Sequence, residues 1–116
     1  MIAMHEYSIV QALIERVAAE ARARHAGAVH RLSIRIGELS GVEVDLLTTA
    51  FATFRERTIC EGAELVVQRV AARWECPGCG NAIGRGNVLT CQGCAVPARL
   101  VQGDEIMLDR IEMEVP

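Results

Sequence analysis

Two C-x-x-C pairs carry the residue types and the spacing of a metal site. Residues 76–79 read Cys-Pro-Gly-Cys, and residues 91–94, after eleven intervening residues, read Cys-Gln-Gly-Cys. Two such turns facing each other bring four thiolates to the corners of a tetrahedron, which is the geometry that Zn²⁺ prefers. The spacing therefore predicts a zinc ribbon with the ligands Cys76, Cys79, Cys91 and Cys94.

The residues around these cysteines favour the same interpretation. Pro77 restricts the first turn, and Gly78, Gly80 and Gly93 can adopt positive φ, which lets backbone N–H groups approach the sulfur atoms. Two disulfides are an alternative that requires an oxidising compartment, but no charged and then apolar signal segment precedes the first predicted helix. A catalytic dithiol needs only one pair, and the thioredoxin-like context that it normally has is missing. The sequence thus favours zinc in a cytoplasmic protein.

Composition limits the size of the core and the kind of partner. The 116 residues are 51% hydrophobic but only 3% aromatic, which allows one compact domain with an aliphatic core and a small metal-stabilised lobe. The net charge of −3 and the pI near 5.6 argue against a nucleic-acid surface. No apolar run reaches about 18 residues, so no membrane span is predicted. Cys60, outside the two pairs, is expected to be a small apolar residue in a turn or in the core.

Hydrophobic periodicity predicts two helices. Residues 8–26 place apolar side chains at helical spacing, and Gly27 is the expected residue directly beyond the helix C-terminus. A second helix is predicted after Ser40, which together with Glu43 has the sequence of a capping box. That helix should end near Arg57.

Alternating apolar residues predict three strands, over residues 31–36, 63–70 and 104–115. In the last strand the apolar phase changes by one residue near Asp109 and Arg110, as a β-bulge requires. Because strands flank the cysteines on both sides, the zinc lobe is predicted to be an insertion before the last strand.

These elements predict an α+β fold in which two helices pack on a small three-stranded sheet, with the Cys₄ zinc-ribbon lobe inserted before the last strand. Residues 1–71 and 103–116 would form the α/β domain. Residues 72–102 would form the zinc-ribbon domain.

A second stretch with metal-binding residue types lies near the start of the chain, where Met4, His5 and Glu6 are consecutive. A histidine near a chain start can offer Ni²⁺ or Cu²⁺ its imidazole together with consecutive backbone nitrogens in a tetragonal arrangement. A His-Glu pair is also common as ordinary polar sequence before a helix. Spacing alone favours the second interpretation.

Six motifs in order resemble the HypA/HybF family of hydrogenase-maturation nickel metallochaperones. The resemblance covers nearly the whole chain, and a single C-x-x-C pair would be far less specific. The motifs are residues 4–9, residues 36–42, residues 50–51, residues 61–65, the two C-x-x-C pairs, and residues 103–105 followed by residues 111–112.

The resemblance implies a structural Cys₄ zinc site and a nickel site at the Met-His-Glu sequence. His5 would bind nickel through its imidazole and backbone nitrogen, with Glu6 close by, and Met4 and Glu43 are further candidates. It also implies a protein without enzymatic turnover that delivers Ni²⁺ for maturation of a [NiFe]-hydrogenase. The GTPase HypB and the hydrogenase large subunit are then the expected partners, and a homodimer is considered.

One feature departs from the family pattern. In the family the methionine before the histidine is the first residue and its amine can bind nickel, whereas here Met1, Ile2 and Ala3 precede Met4. The Met4 nitrogen is then an amide that must lose a proton before it binds a metal. Either a start at Met4 restores the free amine, or the extension rearranges the ligand set.

A zinc-ribbon module that binds nucleic acid or a transcription protein is the alternative function. Such a module needs basic and aromatic residues near the knuckles. The candidates are few, and the acidic chain argues against them. They are Arg73, Trp74, Arg85 and Arg99.

Overall fold

The computed structural model describes residues 2–84 and 89–116, with side chains from His5 onward. Within these residues, eight elements follow one another. They are α1 (Ile2–Ala23), β1 (Ala28–Gly37), α2 (Val44–Phe54), β2 (Glu64–Val70), β3 (Arg73–Glu75), β4 (Ala82–Ile83), β5 (Arg99–Gln102) and β6 (Ile106–Glu114).

The strands form two three-stranded sheets. In the main sheet β1 is central, with β2 parallel on one side and β6 antiparallel on the other. In the lobe that carries the cysteines, β3 is central between β4 and β5, and both pairings are antiparallel. The lobe enters the chain between β2 and β6, which confirms the predicted α+β fold with an inserted Cys₄ lobe.

The core lies between the main sheet and the two helices. Leu32, Ile34 and Ile36 of β1 are buried because alternate residues of a strand share one face. Helix α2 covers them with Leu47 and Phe51, both nearly inaccessible to solvent. This face of the sheet is aliphatic, as the composition predicts.

The predicted domain boundaries, after residue 71 and after residue 102, lie between strands of the main sheet and strands of the cysteine lobe. The division into two domains stays a prediction.

The Cα radius of gyration is 18.1 Å, whereas a compact domain of this length has about 13 Å. The chain is therefore elongated. No helix within the described residues is both long enough and apolar enough to cross a bilayer.

Helix α1 differs from its predicted bounds at both ends. It begins at Ile2, six residues before the predicted start at residue 8, because no glycine or proline in the preceding segment breaks it. It ends at Ala23, and His25 takes the left-handed conformation with φ 56°. The Ala26 N–H donates to the Ala21 carbonyl at 2.9 Å, which completes a Schellman motif. The prediction that Gly27 follows the helix C-terminus was wrong.

The predicted capping box at the start of α2 is also absent. The Ser40 hydroxyl accepts from the Val42 N–H at 3.2 Å, and Glu43 makes no side-chain cap to its own helix. The reason is that Gly41, with φ 81°, turns the chain before the helix begins at Val44. The Glu43 N–H instead donates a hydrogen bond to the carboxylate of Glu6 on α1.

The predicted bulge in the last strand is confirmed. Ser33 pairs with Arg110 and Ile34 pairs with Leu108, so Asp109 is an extra residue in β6. Leu108 and Ile111 are three positions apart, so in a regular strand they would point to opposite faces of the sheet. The extra residue in the bulge lets both of them face the helices. The change of phase in the sequence thus has a direct structural cause.

Cys60 lies in the core, as predicted. Its side chain is inaccessible to solvent, and this burial raises the pKa of its thiol. A raised pKa means less thiolate at any given pH, and only the thiolate reacts quickly with disulfide reagents. Cys60 is therefore a structural residue.

We expect the zinc-loaded protein to react slowly with Ellman's reagent at pH 8, because the four paired cysteines are predicted to hold the metal and Cys60 is buried. After chelation of zinc, four thiols should react quickly, and Cys60 only after denaturation. The variant Cys60→Ala is the control and should show the same four fast thiols. A thiol that reacts quickly before chelation and maps to Cys60 by mass spectrometry would contradict this assignment.

Candidate metal sites

The two cysteine pairs form turns with the same hydrogen-bond pattern. The Gly80 N–H donates to the Cys76 carbonyl, and the Ala95 N–H donates to the Cys91 carbonyl, both at 2.8 Å. Gly80 and Ala95 have positive φ, of 78° and 56°, so the chain reverses directly after each pair. For Ala95 this conformation costs about 1 to 2 kcal/mol, since its Cβ approaches the following carbonyl.

Gly78 and Gly93 do not adopt the predicted positive φ. Gly78 instead brings its N–H to the Cys76 sulfur at 3.3 Å, which confirms the expected approach of backbone donors. A Cβ at this position would lie 3.6 Å from the sulfur atoms of Cys76 and Cys94. This is an ordinary van der Waals distance, so the space at this position does not itself require glycine.

The structure brings together the four cysteines that the sequence predicts as zinc ligands. Their Sγ atoms all lie within 4.8 Å of one another, and those of Cys79 and Cys91 are 3.8 Å apart. A tetrahedron with Zn–S bonds of about 2.3 Å has S–S edges of about 3.8 Å. Cys76 and Cys91 are buried, whereas Cys79 and Cys94 are exposed.

The cluster can hold four thiolates only together with a cation. The backbone N–H groups of Cys79 and Gly78 lower the pKa of the Cys76 thiol to about 7. The neighbouring side chains of Cys79, Cys76 and Cys91 raise the pKa of Cys94 to about 12. Four thiols this close do not all ionise unless a positive ion compensates them. The donor set, its spacing and its charge all fit Zn²⁺.

Those candidates for nucleic-acid binding that the structure describes do not form a basic surface with an exposed aromatic ring. Arg73 and Arg99 are exposed, but Trp74 is half-buried and pairs with Ile83 in the small sheet. Arg85 lies outside the described residues. These residues give the alternative function little support.

At the other candidate site, His5 and Glu6 lie at the start of α1 with opposite environments. His5 is exposed, whereas Glu6 is only 1% exposed. Met4 is part of the same helix, but its side chain lies outside the described residues. The first N–H groups of a helix have no acceptor within the helix, so metal binding by nitrogens here disrupts few helical bonds.

The buried Glu6 carboxylate joins the two helices. Its Oε2 accepts a hydrogen bond from the Glu43 N–H at 3.0 Å, and its Oε1 has no hydrogen-bond partner among the described residues. A carboxylate at a helix N-terminus satisfies a free N–H and interacts favourably with the helix dipole. Glu6 therefore caps α2 from α1. The contact holds the exposed Glu43 beside the start of α1.

The nickel candidates do not form a complete set of side-chain ligands. Among residues 2–84 and 89–116, the four cysteines are the only group of three or more Cys, His, Asp or Glu side chains close enough to share an ion. The structure brings Glu6 to Glu43 and leaves His5 exposed nearby in sequence. A nickel site here needs backbone nitrogens in addition to the imidazole.

The zinc lobe meets the main sheet at a tight backbone crossing that was not predicted. The Leu39 N–H donates to the Gly103 carbonyl at 2.6 Å, and the Ala72 N–H donates to the Glu38 carboxylate at 2.7 Å. Gly37 lies so close to Gly103 that a Cβ has no space there. These contacts fix both chain passages of the lobe to the loop between β1 and α2.

Comparisons with known proteins identify relatives along the whole chain. The sequence profile of a family described as hydrogenase/urease nickel incorporation, metallochaperone, HypA matches residues 4–113. The chain is 39% identical over 113 residues to the hydrogenase maturation factor HypA of Shewanella baltica (strain OS185), covering 96% of this chain and 97% of that protein. It is 37% identical over 114 residues to the factor of the same name from Aquifex aeolicus (strain VF5), covering 97% and 99%.

Solved structures show the same similarity. A solution structure of HypA protein superposes with a TM-score of 0.77 at 32% identity, covering 95% of this chain and 96% of that chain. The solution structure of the Ni metallochaperone HypA from Helicobacter pylori superposes with a TM-score of 0.69 at 30% identity, covering 96% and 98%. With the profile match over nearly its full length, the chain belongs to the HypA family.

Proposed function

We propose that this protein binds Ni²⁺ at His5 and delivers it for the maturation of a [NiFe]-hydrogenase, while a structural Zn²⁺ keeps the cysteine lobe folded. The observation that carries the proposal is the family match over residues 4–113, which begins at the Met-His-Glu sequence and includes both cysteine pairs. In this proposal the protein catalyses no reaction of its own. It receives a nickel ion and passes it to a partner protein.

The two proposed metal sites differ in the way that their roles require. Four preorganised thiolates, two of them buried, hold Zn²⁺ in a closed tetrahedral shell, which is typical of a structural site. His5 is exposed at the start of a helix and lacks a complete set of side-chain partners. Such an open, adjustable site suits a metal that must be released to an acceptor.

We propose that nickel is bound by the His5 imidazole together with the backbone nitrogens of Met4 and His5, and that Glu6 takes part through its backbone. The Glu6 carboxylate has another task, because it is buried and accepts from the Glu43 N–H. Its side chain holds the start of α1 in place. Glu43, with its exposed carboxylate beside this point, is the remaining candidate for an oxygen ligand.

His5→Ala is expected to weaken Ni²⁺ binding on the order of 100-fold or more, because it removes the imidazole from a site with few other side-chain ligands. Isothermal titration of the zinc-loaded protein with Ni²⁺ measures this change. His30→Ala is the matched control: His30 is also exposed, but it pairs with Glu114 at 3.1 Å. Unchanged nickel affinity in His5→Ala would sink the assignment.

The residues before Met4 provide a second test of the ligand set. A chain beginning at Met4 has a free amine there, whereas the chain beginning at Met1 has an amide that must lose a proton. The shorter chain should give the absorption band of planar Ni²⁺ at lower pH. Identical pH dependence of the band in both chains would exclude the Met4 nitrogen as a ligand.

The partners proposed for the transfer are the GTPase HypB and the hydrogenase large subunit, in the cytoplasm. The relatives are maturation factors for hydrogenase by name, and the family description includes nickel incorporation into urease as well. Pull-down of the zinc-loaded chain with each purified candidate, with and without Ni²⁺, tests the proposal. Binding to neither candidate in both conditions would contradict it.

A further inference from the structure

A groove runs along one edge of the main sheet, between α1 and β6. Among the described residues β6 has no strand on its outer side, and an edge strand presents N–H and C=O groups that can pair with a further strand. Two adjoining cavities of about 310 and 280 Å³ form the groove and share Arg16 and Leu108. Strand β6 lines it from Ile106 to Met113, which is about 24 Å of strand. The groove therefore has the length of an extended peptide segment.

The end of the groove at the start of β6 is apolar. Its helix side consists of Ile9, Ala12 and Leu13, and its strand side begins with Ile106 and Met107. The last two side chains are 46% and 45% exposed. Removing such apolar area from water favours association. This end therefore fits apolar side chains of a partner.

The end of the groove towards the end of β6 carries positive charge. Its arginines are Arg16, Arg24 and Arg110. Two acidic residues also line this end, and both already pair with arginines: Glu20 with Arg16 and Arg24, and Asp109 with an arginine of β1. Arg110 makes no ion pair within residues 2–84 and 89–116. This end therefore fits acidic side chains of a partner.

The apolar end of the groove lies towards His5. Side chains three or four residues apart lie on the same face of a helix. His5 is thus one turn before Ile9 on the side of α1 that borders the groove. The His5 side chain is exposed. A segment that fills the groove would therefore bring its apolar end near the residue proposed to bind nickel.

We propose that this groove binds an extended segment of a partner protein, which adds to β6 as an antiparallel strand. Antiparallel pairs are slightly more stable per residue than parallel ones, and this direction leads from the arginines to the apolar end. The segment therefore carries acidic residues first and apolar residues after them. Its C-terminal end lies towards His5. The identification of this partner as the nickel acceptor rests on the proposed function, whereas the match of charge and apolar area does not.

A second copy of β6 does not have this order of residues. Strand β6 begins with the apolar Ile106, Met107 and Leu108 and ends with Glu112 and Glu114 around a methionine. Placed antiparallel in the groove, a second β6 would bring its glutamates to the apolar end and its apolar start to the arginines. Charge complementarity therefore favours a segment of a different chain.

Titration of the full-length, zinc-loaded and nickel-free protein with two synthetic peptides tests the proposal. Both peptides are blocked at their ends and have the same composition. One has glutamates first and then alternating valines and threonines, and the other has the reverse order. In NMR spectra of the isotope-labelled protein, the glutamate-first peptide should shift amides of residues 106–113. The reversed peptide should bind about tenfold more weakly, because its glutamates then meet the apolar end.

Charge and apolar variants of β6 identify the two ends separately. Arg110→Glu should weaken binding of the glutamate-first peptide about tenfold, and a peptide with lysines in place of the glutamates should recover it. Ile106→Asp should weaken binding to a similar extent by placing a charge at the apolar end. Gln68→Glu on β2, the opposite edge of the sheet, is the matched control and should bind the peptide normally.

No binding, equal binding of both peptides, or shifts confined to β2 would each overturn the proposal. Amides of β6 that shift with protein concentration alone would also overturn it, because a second copy would then occupy the groove. If a variant is unfolded by circular dichroism, the comparison of the two peptides on the unaltered chain decides alone. Since no step uses nickel, failure of this proposal and failure of the His5 assignment are distinguishable.

Discussion

Cys76→Ser is expected to abolish stoichiometric zinc binding and to unfold the lobe of β3, β4 and β5. A structural zinc site contributes about 10 kcal/mol to folding, and this lobe has little else to hold it. Its strands contain three, two and four residues, which are too short for independent stability. Cys76 is also the buried ligand whose thiolate is stabilised by backbone N–H groups. Serine supplies neither the soft donor nor the low pKa.

Zinc content by mass spectrometry and hydrogen exchange across the chain measure both effects. Amides of residues 73–75 and 99–102 should lose protection, whereas those of β1 should keep it, since the aliphatic core lies between β1 and the helices. Cys60→Ala is the matched control, because it also removes a buried cysteine and should leave one zinc ion per chain. A Cys76→Ser protein that retains one zinc ion and a protected lobe would contradict the Cys₄ assignment.

Gly37→Ala is expected to destabilise the protein by about 3 to 5 kcal/mol, a large effect for one methyl group. A Cβ at Gly37 would overlap the carbonyl carbon and oxygen of Gly103, which are backbone atoms and cannot rotate away. Gly103 in turn has φ 113° and lies against Ala72, so the crossing has no space on either side. The substitution must therefore separate the main sheet from the base of the zinc lobe.

Urea denaturation monitored by circular dichroism gives the free energy of unfolding. Gly27→Ala is the matched control, because a Cβ there meets no atom within 4 Å and its φ is not positive. It should change stability by less than about 1 kcal/mol and in the stabilising direction, through the entropy of the unfolded chain. Equal effects of the two substitutions would show that the crossing is not tight in solution.

The parts of the fold that the sequence predicts are those with a local pattern. Four cysteines at fixed spacing indicate a tetrahedral site, and the structure brings their sulfur atoms together. Alternation indicates the strands, and the change of phase at Asp109 indicates the bulge. Each of these signals lies within a few consecutive residues, so no knowledge of distant contacts is needed.

The features that were missed depend on contacts between distant residues. Ser40 and Glu43 have the sequence of a capping box, yet the Glu43 N–H is satisfied by Glu6, which is far away in sequence. One signal was present: Glu6 lies four residues before the buried Val10, in line with the apolar stripe of α1. A charged residue at a stripe position indicates a buried polar contact.

The start of α1 affects the proposed nickel site. A helix that begins at Ile2 places His5 on a defined turn, and the Glu6 contact fixes that turn to α2. The proposed ligand set therefore combines a backbone position that the Glu6 contact fixes with an exposed imidazole. In this proposal the cysteine pairs, which carry the clearest sequence motif, serve the structure, and the transfer of nickel takes place at the start of α1.

X-ray absorption at both metal edges on protein loaded with zinc and then with one equivalent of nickel tests these assignments most directly. The zinc edge should show four sulfur neighbours at about 2.3 Å, unchanged by the addition of nickel. The nickel edge should show nitrogen and oxygen neighbours with an imidazole contribution that is lost in His5→Ala. Sulfur neighbours at nickel, or loss of sulfur from zinc when nickel is added, would contradict a nickel site at His5 separate from a Cys₄ zinc site.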